Sequence, residues 1–192
     1  MPALKRVVIF ASGGGSTFAY LTDKGREYFD VIALFCDRPD AGVIEKAQKR
    51  EVPIIPIERN GEWKKALAEL APDLICLAGY LKPVPKDVVE MFRGKILNVH
   101  PALLPKFGGK GFYGSHVHEA VVNSGEKVSG ATVHRVDEGI DTGSILAQAS
   151  VEVGDRDAQA LATAVQAIEK PLYLETIRKV LEEQSESTDQ RL

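Results

Sequence analysis

Short apolar runs alternate with amphipathic stretches along the first half of the chain, and this alternation constrains the fold more than any other feature. Four runs are continuously apolar, residues 7–10, 31–36, 53–57 and 74–78, and a fifth strand-like run at 95–99 is apolar at three of its five positions. Strands without polar alternation are typical of a parallel sheet covered by helices on both faces. The stretches between them, near 16–27, 41–50, 61–70 and 85–92, predict the covering helices. Pro56 within the third run predicts an edge strand.

The pattern changes after His100. A glycine-rich loop leads to a predicted helix at 115–123, and two further strands follow at 127–136 and 144–153. Alternation through Val128, Gly130, Thr132 and His134 indicates an antiparallel or mixed extension of the sheet. A long helix from about 158 to 181 ends the pattern. We expect one α/β domain over residues 1–182, and a disordered polar tail over 183–192.

Composition narrows the functional class. The chain has 192 residues and a net charge of −3, so it carries no basic footprint for nucleic acid. No apolar run approaches the roughly 20 residues that a membrane helix needs, and residues 1–6 do not resemble a signal peptide. Cys36 and Cys76 each lie in an apolar run, which favours buried reduced thiols and a reducing cytoplasm over a disulfide or metal site.

A glycine-rich turn, residues 11–17, lies between the first strand and the first helix. Its backbone N–H groups and the helix N-terminus would suit a phosphate, and Ser16 or Thr17 could cap the helix. Two alternatives stay open: a tight turn without ligand, or a partial dinucleotide fingerprint. In the second, Gly13 and Gly15 fit but Phe18 holds the third glycine position, and Asp37 would bind the ribose. No Gly-Lys-Ser/Thr follows, which excludes a P-loop.

The segment 98–105 places an amide and an imidazole at the end of the fifth strand. Asn98 and His100 are two residues apart and therefore face the same side of a strand. That pair suits a reaction in which charge builds on an oxygen while a proton moves. A neighbouring carboxylate such as Asp141 would raise the pKa of His100 and favour its charged form. His134 is interpreted as a structural hydrogen-bonding residue or a pocket wall rather than a proton carrier.

Two more histidines and one loop have weaker signals. His116 and His118 do not share a helix face, and we interpret both as exposed polar residues rather than zinc ligands. The segment 79–85 follows the fourth strand and carries apolar groups and a cation. Since open α/β sheets bind ligands beyond their strand ends, this loop suits a flat, partly anionic ligand. A plain helix entry with Pro85 at its start is the structural alternative.

Four motifs together resemble those of the phosphoribosylglycinamide formyltransferases, folate-dependent enzymes of purine synthesis. They are Ser-Gly-Gly-Gly-Ser at 12–16, Leu-Ala-Gly-Tyr-Leu-Lys at 77–82, Asn-Val-His-Pro-Ala-Leu-Leu-Pro at 98–105 and Asp-Glu-Gly-Ile-Asp-Thr-Gly at 137–143. The third is highly specific to enzymes that use 10-formyltetrahydrofolate. The resemblance covers about residues 6–181 and implies a single-domain, Rossmann-like fold with a mostly parallel seven-stranded sheet and helices on both faces.

The resemblance also implies roles for individual residues. The catalytic residues would be Asn98, His100 and Asp141. Three groups would bind ligands: Gly15, Ser16 and Thr17 the substrate phosphate; Gln166 and Glu169 the glycinamide; and Leu81, Lys82, Pro83, Val84, Asn98, Asp137, Glu138, Gly139, Ile140 and Asp141 the folate. Gly14 and Thr17 replace two asparagines of the family pattern, and Lys82 stands where relatives often have arginine.

The implied reaction is transfer of a formyl group from 10-formyltetrahydrofolate to the amine of glycinamide ribonucleotide. The amine would attack directly, with the oxyanion held by Asn98 and protonated His100, and no metal is required. The small-molecule substrates would be the partners, with no nucleic acid or membrane, and the protein would be a monomer or a homodimer. Alternatives are another formyltetrahydrofolate-dependent transferase or deformylase, a nicotinamide oxidoreductase, and a non-catalytic binder of a phosphorylated molecule. Methionyl-tRNA formyltransferase and the deformylase would each need a further domain.

Overall fold

The computed structural model describes residues 3–189. Its strands are β1 Lys5–Ala11, β2 Phe29–Cys36, β3 Ile54–Pro56, β4 Leu74–Leu77, β5 Ile96–His100, β6 Val128–Arg135 and β7 Ile145–Glu152. Its helices are α1 Ser16–Gly25, α2 Val43–Gln48, α3 Glu62–Leu70, α4 Lys86–Met91, α5 Ser115–Asn123 and α6 Ala158–Asp189. The seven strands lie in the order β3-β2-β1-β4-β5-β6-β7. The predicted α/β class with a mostly parallel seven-stranded sheet is confirmed, and β3 is at the predicted edge.

The described chain divides into two compact units. Unit 1 contains residues up to Lys82 together with those from Ile177 onward, and unit 2 contains Pro83–Thr176. In unit 1, β1 pairs in parallel with β2 and β4, and β2 pairs in parallel with β3. Its buried aromatic residues include Phe10, which stacks on Phe35 at 4.8 Å between ring centroids and meets Trp63 edge-on. These continuously buried strands explain the unbroken apolar runs of the sequence.

In unit 2, β5, β6 and β7 pair antiparallel, as the alternating pattern predicted. The register sets Asn98 opposite His134 and His100 opposite Thr132. Opposite residues share one face of a sheet, so four polar side chains lie on the same face. The first part of α6 covers this unit, where the buried Tyr173 hydroxyl donates to the Leu97 carbonyl at 3.0 Å.

The C-terminal end differs from the sequence prediction. Helix α6 does not stop near residue 181 but continues to Asp189, so the predicted disordered tail is wrong for residues 183–189. The run Glu182-Glu183-Gln184 consists of good helix formers, which lets the helix extend beyond its last apolar residues. Residues 190–192 lie outside the described residues. Across 3–189, no helix combines the length and apolar character needed to cross a membrane.

Candidate active site

A polar cluster lies on β5 and β6 of unit 2. The Asn98 amide nitrogen is 3.1 Å from His134 Nε2, across the pair of strands. His100, two residues along β5, is 4% exposed and His134 is 2% exposed. The predicted common orientation of Asn98 and His100 follows from the strand, and the antiparallel register adds His134 to them. The contact makes His134 a hydrogen-bonding partner of the amide, and its interpretation as a structural hydrogen-bonding residue or a pocket wall stays a prediction.

Asp141 completes the cluster from the turn after β6. Its Oδ2 is 3.5 Å from His100 Nδ1, and its Oδ1 is 3.5 Å from His134 Nε2. The turn is shaped by Asp137, whose Oδ1 accepts from the Gly139 N–H at 2.9 Å and from the Thr142 hydroxyl at 2.6 Å. Asp141 itself has φ +57°, a left-handed conformation that aspartate tolerates better than most residues. The turn thus brings the carboxylate between two imidazoles.

Hydrogen bonds to carbonyls fix where the two imidazoles hold a proton. His100 Nε2–H donates to the Phe107 carbonyl at 2.7 Å, so its Nδ1 faces Asp141. His134 Nδ1–H donates to the Arg135 carbonyl at 2.8 Å, and its Nε2 lies between Asn98 and Asp141. A neutral His134 accepts from the Asn98 amide, whereas a protonated one can donate to Asp141.

Burial decides the charge of His100. Desolvation lowers the pKa of this imidazole and His134 lowers it further, while Asp141 and the Phe107 carbonyl only partly compensate. Asp141 therefore raises the pKa of His100, as expected, but burial outweighs this effect and the charged form is not favoured overall. Burial raises the pKa of Asp141, but hydrogen bonds from His134 and the Gly109 N–H, together with the histidine charges, lower it overall. At neutral pH these two lowered pKa values favour an ionised Asp141 carboxylate beside a neutral His100 imidazole.

The helical histidines differ from each other. His116 is exposed, as predicted, and its Nδ1 is 3.6 Å from Glu119. His118 is 6% exposed, so the prediction of an exposed residue is wrong. It lies on the buried face of α5 with Val117 and Val121. Burial lowers its pKa, and His100 adds to this effect.

The glycine-rich turn of unit 1 is shaped by Gly15. This residue has φ +72°, and a Cβ there would lie 2.5 Å from the Val43 side chain. Gly15 is the N-cap of α1, and no side chain caps the helix, so the prediction that Ser16 or Thr17 caps it is wrong. Both are instead the first residues of the helix, with Ser16 exposed and Thr17 buried. Their backbone N–H groups belong to the first turn, where helices lack internal acceptors.

A second polar network in unit 1 joins Asp37 to the loop after β4. Asp37 accepts from the Ser12 hydroxyl at 2.6 Å and from Lys82 Nζ at 2.8 Å, and the Ser12 oxygen accepts from the Leu81 N–H at 3.2 Å. Burial raises the pKa of Asp37, but the Lys82 and Ser12 hydrogen bonds outweigh it and lower the pKa. The Asp37 side chain is 3% exposed. Its carboxylate is thus already engaged, which disfavours the ribose-binding role.

The remaining predicted binding residues lie in separate places. A cavity of about 410 Å³ in unit 2 is lined by Val89, Arg93, Gly94, Arg135, Val136, Asp137, Glu138, Gly139, Gly143 and Ser144. Three of the predicted folate residues, 137–139, are among them. Leu81, Lys82 and Pro83 are exposed and Val84 is half-buried. On α6, Gln166 is exposed and Glu169 is buried. Among residues 3–189, no group of three or more His, Cys, Asp or Glu could hold a metal.

Comparison with known proteins fixes the family. The model of the family described as Formyl transferase matches residues 5–177. The chain belongs to this family. It is 39% identical to the chloroplastic phosphoribosylglycinamide formyltransferase of Arabidopsis thaliana, over 95% of this chain and 67% of that protein. It is 36% identical to the phosphoribosylglycinamide formyltransferase of Bacillus subtilis, over 93% of this chain and 95% of that protein.

Solved structures give the same result. The glycinamide ribonucleotide transformylase 1 of Symbiobacterium toebii superposes with a TM-score of 0.86 at 31% identity, over 94% of this chain and 89% of that one. The phosphoribosylglycinamide formyltransferase of Brucella melitensis gives a TM-score of 0.84 at 36% identity, over 92% and 95%. The family resemblance of the sequence motifs is confirmed.

Proposed function

We propose that this formyltransferase moves a formyl group from 10-formyltetrahydrofolate to the amine of 5'-phosphoribosylglycinamide, a step of purine synthesis. The observation that carries the proposal is the cluster of Asn98, His100 and Asp141 in unit 2, three residue types suited to attack at a carbonyl carbon. The names of the relatives and of the solved structures support the choice of substrates.

Asn98 is the proposed donor to the oxyanion. The amine attacks the formyl carbon, and negative charge develops on the formyl oxygen. A side-chain amide can donate two N–H bonds, and only one lies toward His134. A well-placed donor of this kind contributes about 3 kcal/mol to lowering the barrier.

His100 is the proposed proton carrier. In its neutral form it takes the proton that the amine loses on attack, and the resulting imidazolium is stabilised by Asp141, whose carboxylate is 3.5 Å from Nδ1. The C–N bond to the folate then breaks, and the proton passes to the folate nitrogen, through His100 or through a water held by Asp141. The pKa of His100 lies below its ordinary value, so the unprotonated form that accepts the proton dominates at neutral pH.

Three regions are the proposed binding sites. The turn at Gly15, Ser16 and Thr17 would bind the nucleotide phosphate through N–H groups of the first turn of α1. The unit 2 cavity beside residues 137–139 has the size of a small-molecule site and would take part of the folate. The folate is also proposed to contact Leu81, Lys82, Pro83, Val84 and Ile140. Gln166 and Glu169 are proposed to contact the glycinamide.

The test is a reconstituted assay. Purified protein is mixed with glycinamide ribonucleotide and 10-formyltetrahydrofolate, and the deformylated folate is followed by absorbance. Omission of the nucleotide separates transfer from hydrolysis of the folate. Product that forms equally without the nucleotide would show a deformylase, and no product in either mixture would remove the proposal.

Two substitutions test the assigned roles. Asn98→Ala is expected to lower kcat by about 10²–10³-fold because an oxyanion donor is lost. His100→Ala is expected to lower kcat by about 10²–10⁴-fold because proton transfer is lost. The exposed His116→Ala in the same unit is the matched control and should retain wild-type kcat. Near-normal kcat in either cluster variant would remove that residue from the mechanism.

We also propose a cytoplasmic location and small-molecule partners alone. Cys36 and Cys76 are both buried, as predicted, and both are reduced, which is typical of proteins in reducing compartments. One of the relatives is described as chloroplastic.

A further inference from the structure

We propose that Thr132 and Gln148 are positioning residues for the formyl-transfer reaction, because they hold the segment 102–104 and thereby fix His100 against the Phe107 carbonyl. The inference rests on the proposed function only for its kinetic readout. Thr132 lies on β6 opposite His100, and Gln148 lies on β7 opposite Thr132. Neither residue belongs to the motifs from which the site was predicted.

The Thr132 hydroxyl uses its full hydrogen-bonding capacity on one short segment. It donates to the Ala102 carbonyl at 2.7 Å and accepts from the Leu104 N–H at 3.0 Å. Its second acceptor position takes Gln148 Nε2 at 2.9 Å. Thr132 is fully buried. One donor and two acceptor positions are the whole capacity of a hydroxyl, so no part of this group is left for another role.

Gln148 holds the same segment from the next strand. Its Nε2 donates to the Leu104 carbonyl at 3.0 Å, in addition to the Thr132 oxygen. Both polar backbone groups of Leu104 are therefore bound by this pair. Gln148 is exposed, so it can be replaced without opening a cavity in the core.

The sheet is also shaped to receive the segment. A Cβ on Gly130 would lie 2.9 Å from the Leu103 side chain and 2.0 Å from the Ala149 carbonyl oxygen. Only glycine at this position lets Leu103 approach β6 so closely. Leu103 thus packs against Gly130, and hydrogen bonds from the Thr132 and Gln148 side chains hold its two neighbours, Ala102 and Leu104.

The consequence reaches the cluster through the chain. The held segment lies between His100 and Phe107, and the Phe107 carbonyl accepts from His100 Nε2 at 2.7 Å. The far end of the loop is bound separately, because the Gly109 N–H donates to Asp141 Oδ2 at 3.0 Å. If residues 102–104 shift, the acceptor of the Nε2 proton shifts with them, and His100 no longer holds its Nδ1 toward Asp141.

The test compares two isosteric losses of a buried hydroxyl. Thr132→Val removes the anchor, and Thr176→Val removes the hydroxyl of a buried threonine on α6 that donates to the Leu172 carbonyl. We expect Thr132→Val to lower kcat by about 10–100-fold with KM values within a few-fold, since displaced catalytic groups cost rate rather than binding. The acidic limb of its kcat–pH profile should move. Thr132→Ser should have a kcat close to that of the wild type. The kcat of Gln148→Ala should lie between those of Thr132→Val and the wild type, and Thr176→Val should have the wild-type kcat.

A second readout does not depend on activity. The ¹⁵N shifts of the His100 imidazole report which nitrogen carries the proton, and they should change in Thr132→Val and Gln148→Ala but not in Thr176→Val. Wild-type shifts and kcat in both the folded Thr132→Val and Gln148→Ala variants would overturn the proposal. If Thr132→Val does not fold, Gln148→Ala decides alone. A wild-type enzyme that transfers no formyl group would remove the proposed function, and the imidazole shifts would still test the anchor.

Discussion

Burial, rather than the nearby carboxylate, controls the protonation of His100. The imidazole is 4% exposed, and Asp141 at 3.5 Å only partly offsets the cost of desolvating a charge. Burial lowers the pKa of His118 in the same way. Both folded pKa values therefore lie below the ordinary value of 6.5. A sequence can suggest which carboxylate pairs with a histidine. The balance between that charge and the burial of the imidazole is set only by the packing of the folded chain.

These lowered pKa values predict a pH dependence of stability. As pH falls below 6.5, the unfolded chain binds protons before the folded chain does, so the free energy of unfolding decreases. The carboxylates with lowered pKa, such as Asp37 and Asp141, affect stability only near and below pH 3.8, the ordinary pKa of aspartate. The pH ranges in which histidines and carboxylates change the stability are therefore separate. Urea unfolding from about pH 8 to about pH 5 measures the effect.

The His118→Leu variant tests the assignment to particular residues. It removes one of the two buried imidazoles, so its stability should fall less steeply over the same interval. A stability that rises on acidification from about pH 7 to about pH 5 would contradict the lowered pKa values.

At the scale of elements, the sequence was most informative about features that a single strand or turn determines by itself. The continuous apolar runs predicted β1, β2 and β4, and the i, i+2 spacing predicted the shared orientation of Asn98 and His100. The place of His134 depends on the register between β5 and β6, which no local pattern encodes. The capping prediction failed because Gly15 is the N-cap residue of α1. Ser16 and Thr17 lie inside the helix, and no side chain caps it.

The turn before α1 gives a prediction at this scale. Gly15→Ala should destabilise the fold by about 1–3 kcal/mol, since it combines φ +72° with a Cβ 2.5 Å from Val43. It should also weaken binding of glycinamide ribonucleotide, because the first N–H groups of α1 shift. Urea unfolding and titration with the nucleotide measure the two effects.

Gly13→Ala is the matched control in the same turn. Gly13 does not have a positive φ, and nothing lies within 4 Å of a Cβ placed there. Its stability should stay within about 0.5 kcal/mol of the wild type. Equal losses in the two variants would show that the turn does not depend on Gly15 in the proposed way.

At the scale of the whole molecule, chain order and spatial grouping differ. Unit 1 combines the first part of the chain with residues from Ile177 onward, whereas unit 2 is continuous. A reading along the sequence treats α6 as one closing helix. Helix α6 belongs to both units, up to Thr176 to unit 2 and from Ile177 to unit 1. This division depends on packing between residues far apart in sequence, which hydrophobic periodicity does not predict.

This grouping predicts that the end of α6 contributes to stability in two distinct parts. Truncation after Thr176 removes Ile177, Val180 and Leu181, which are 0%, 4% and 3% exposed. Loss of one buried aliphatic side chain costs about 2–5 kcal/mol, so loss of three approaches the whole stability of a typical domain. Truncation after Glu183 keeps all three and should change the free energy of unfolding by less than about 1 kcal/mol. Circular dichroism and urea unfolding compare the two chains, and a folded, cooperative protein ending at Thr176 would show that unit 1 does not need this segment.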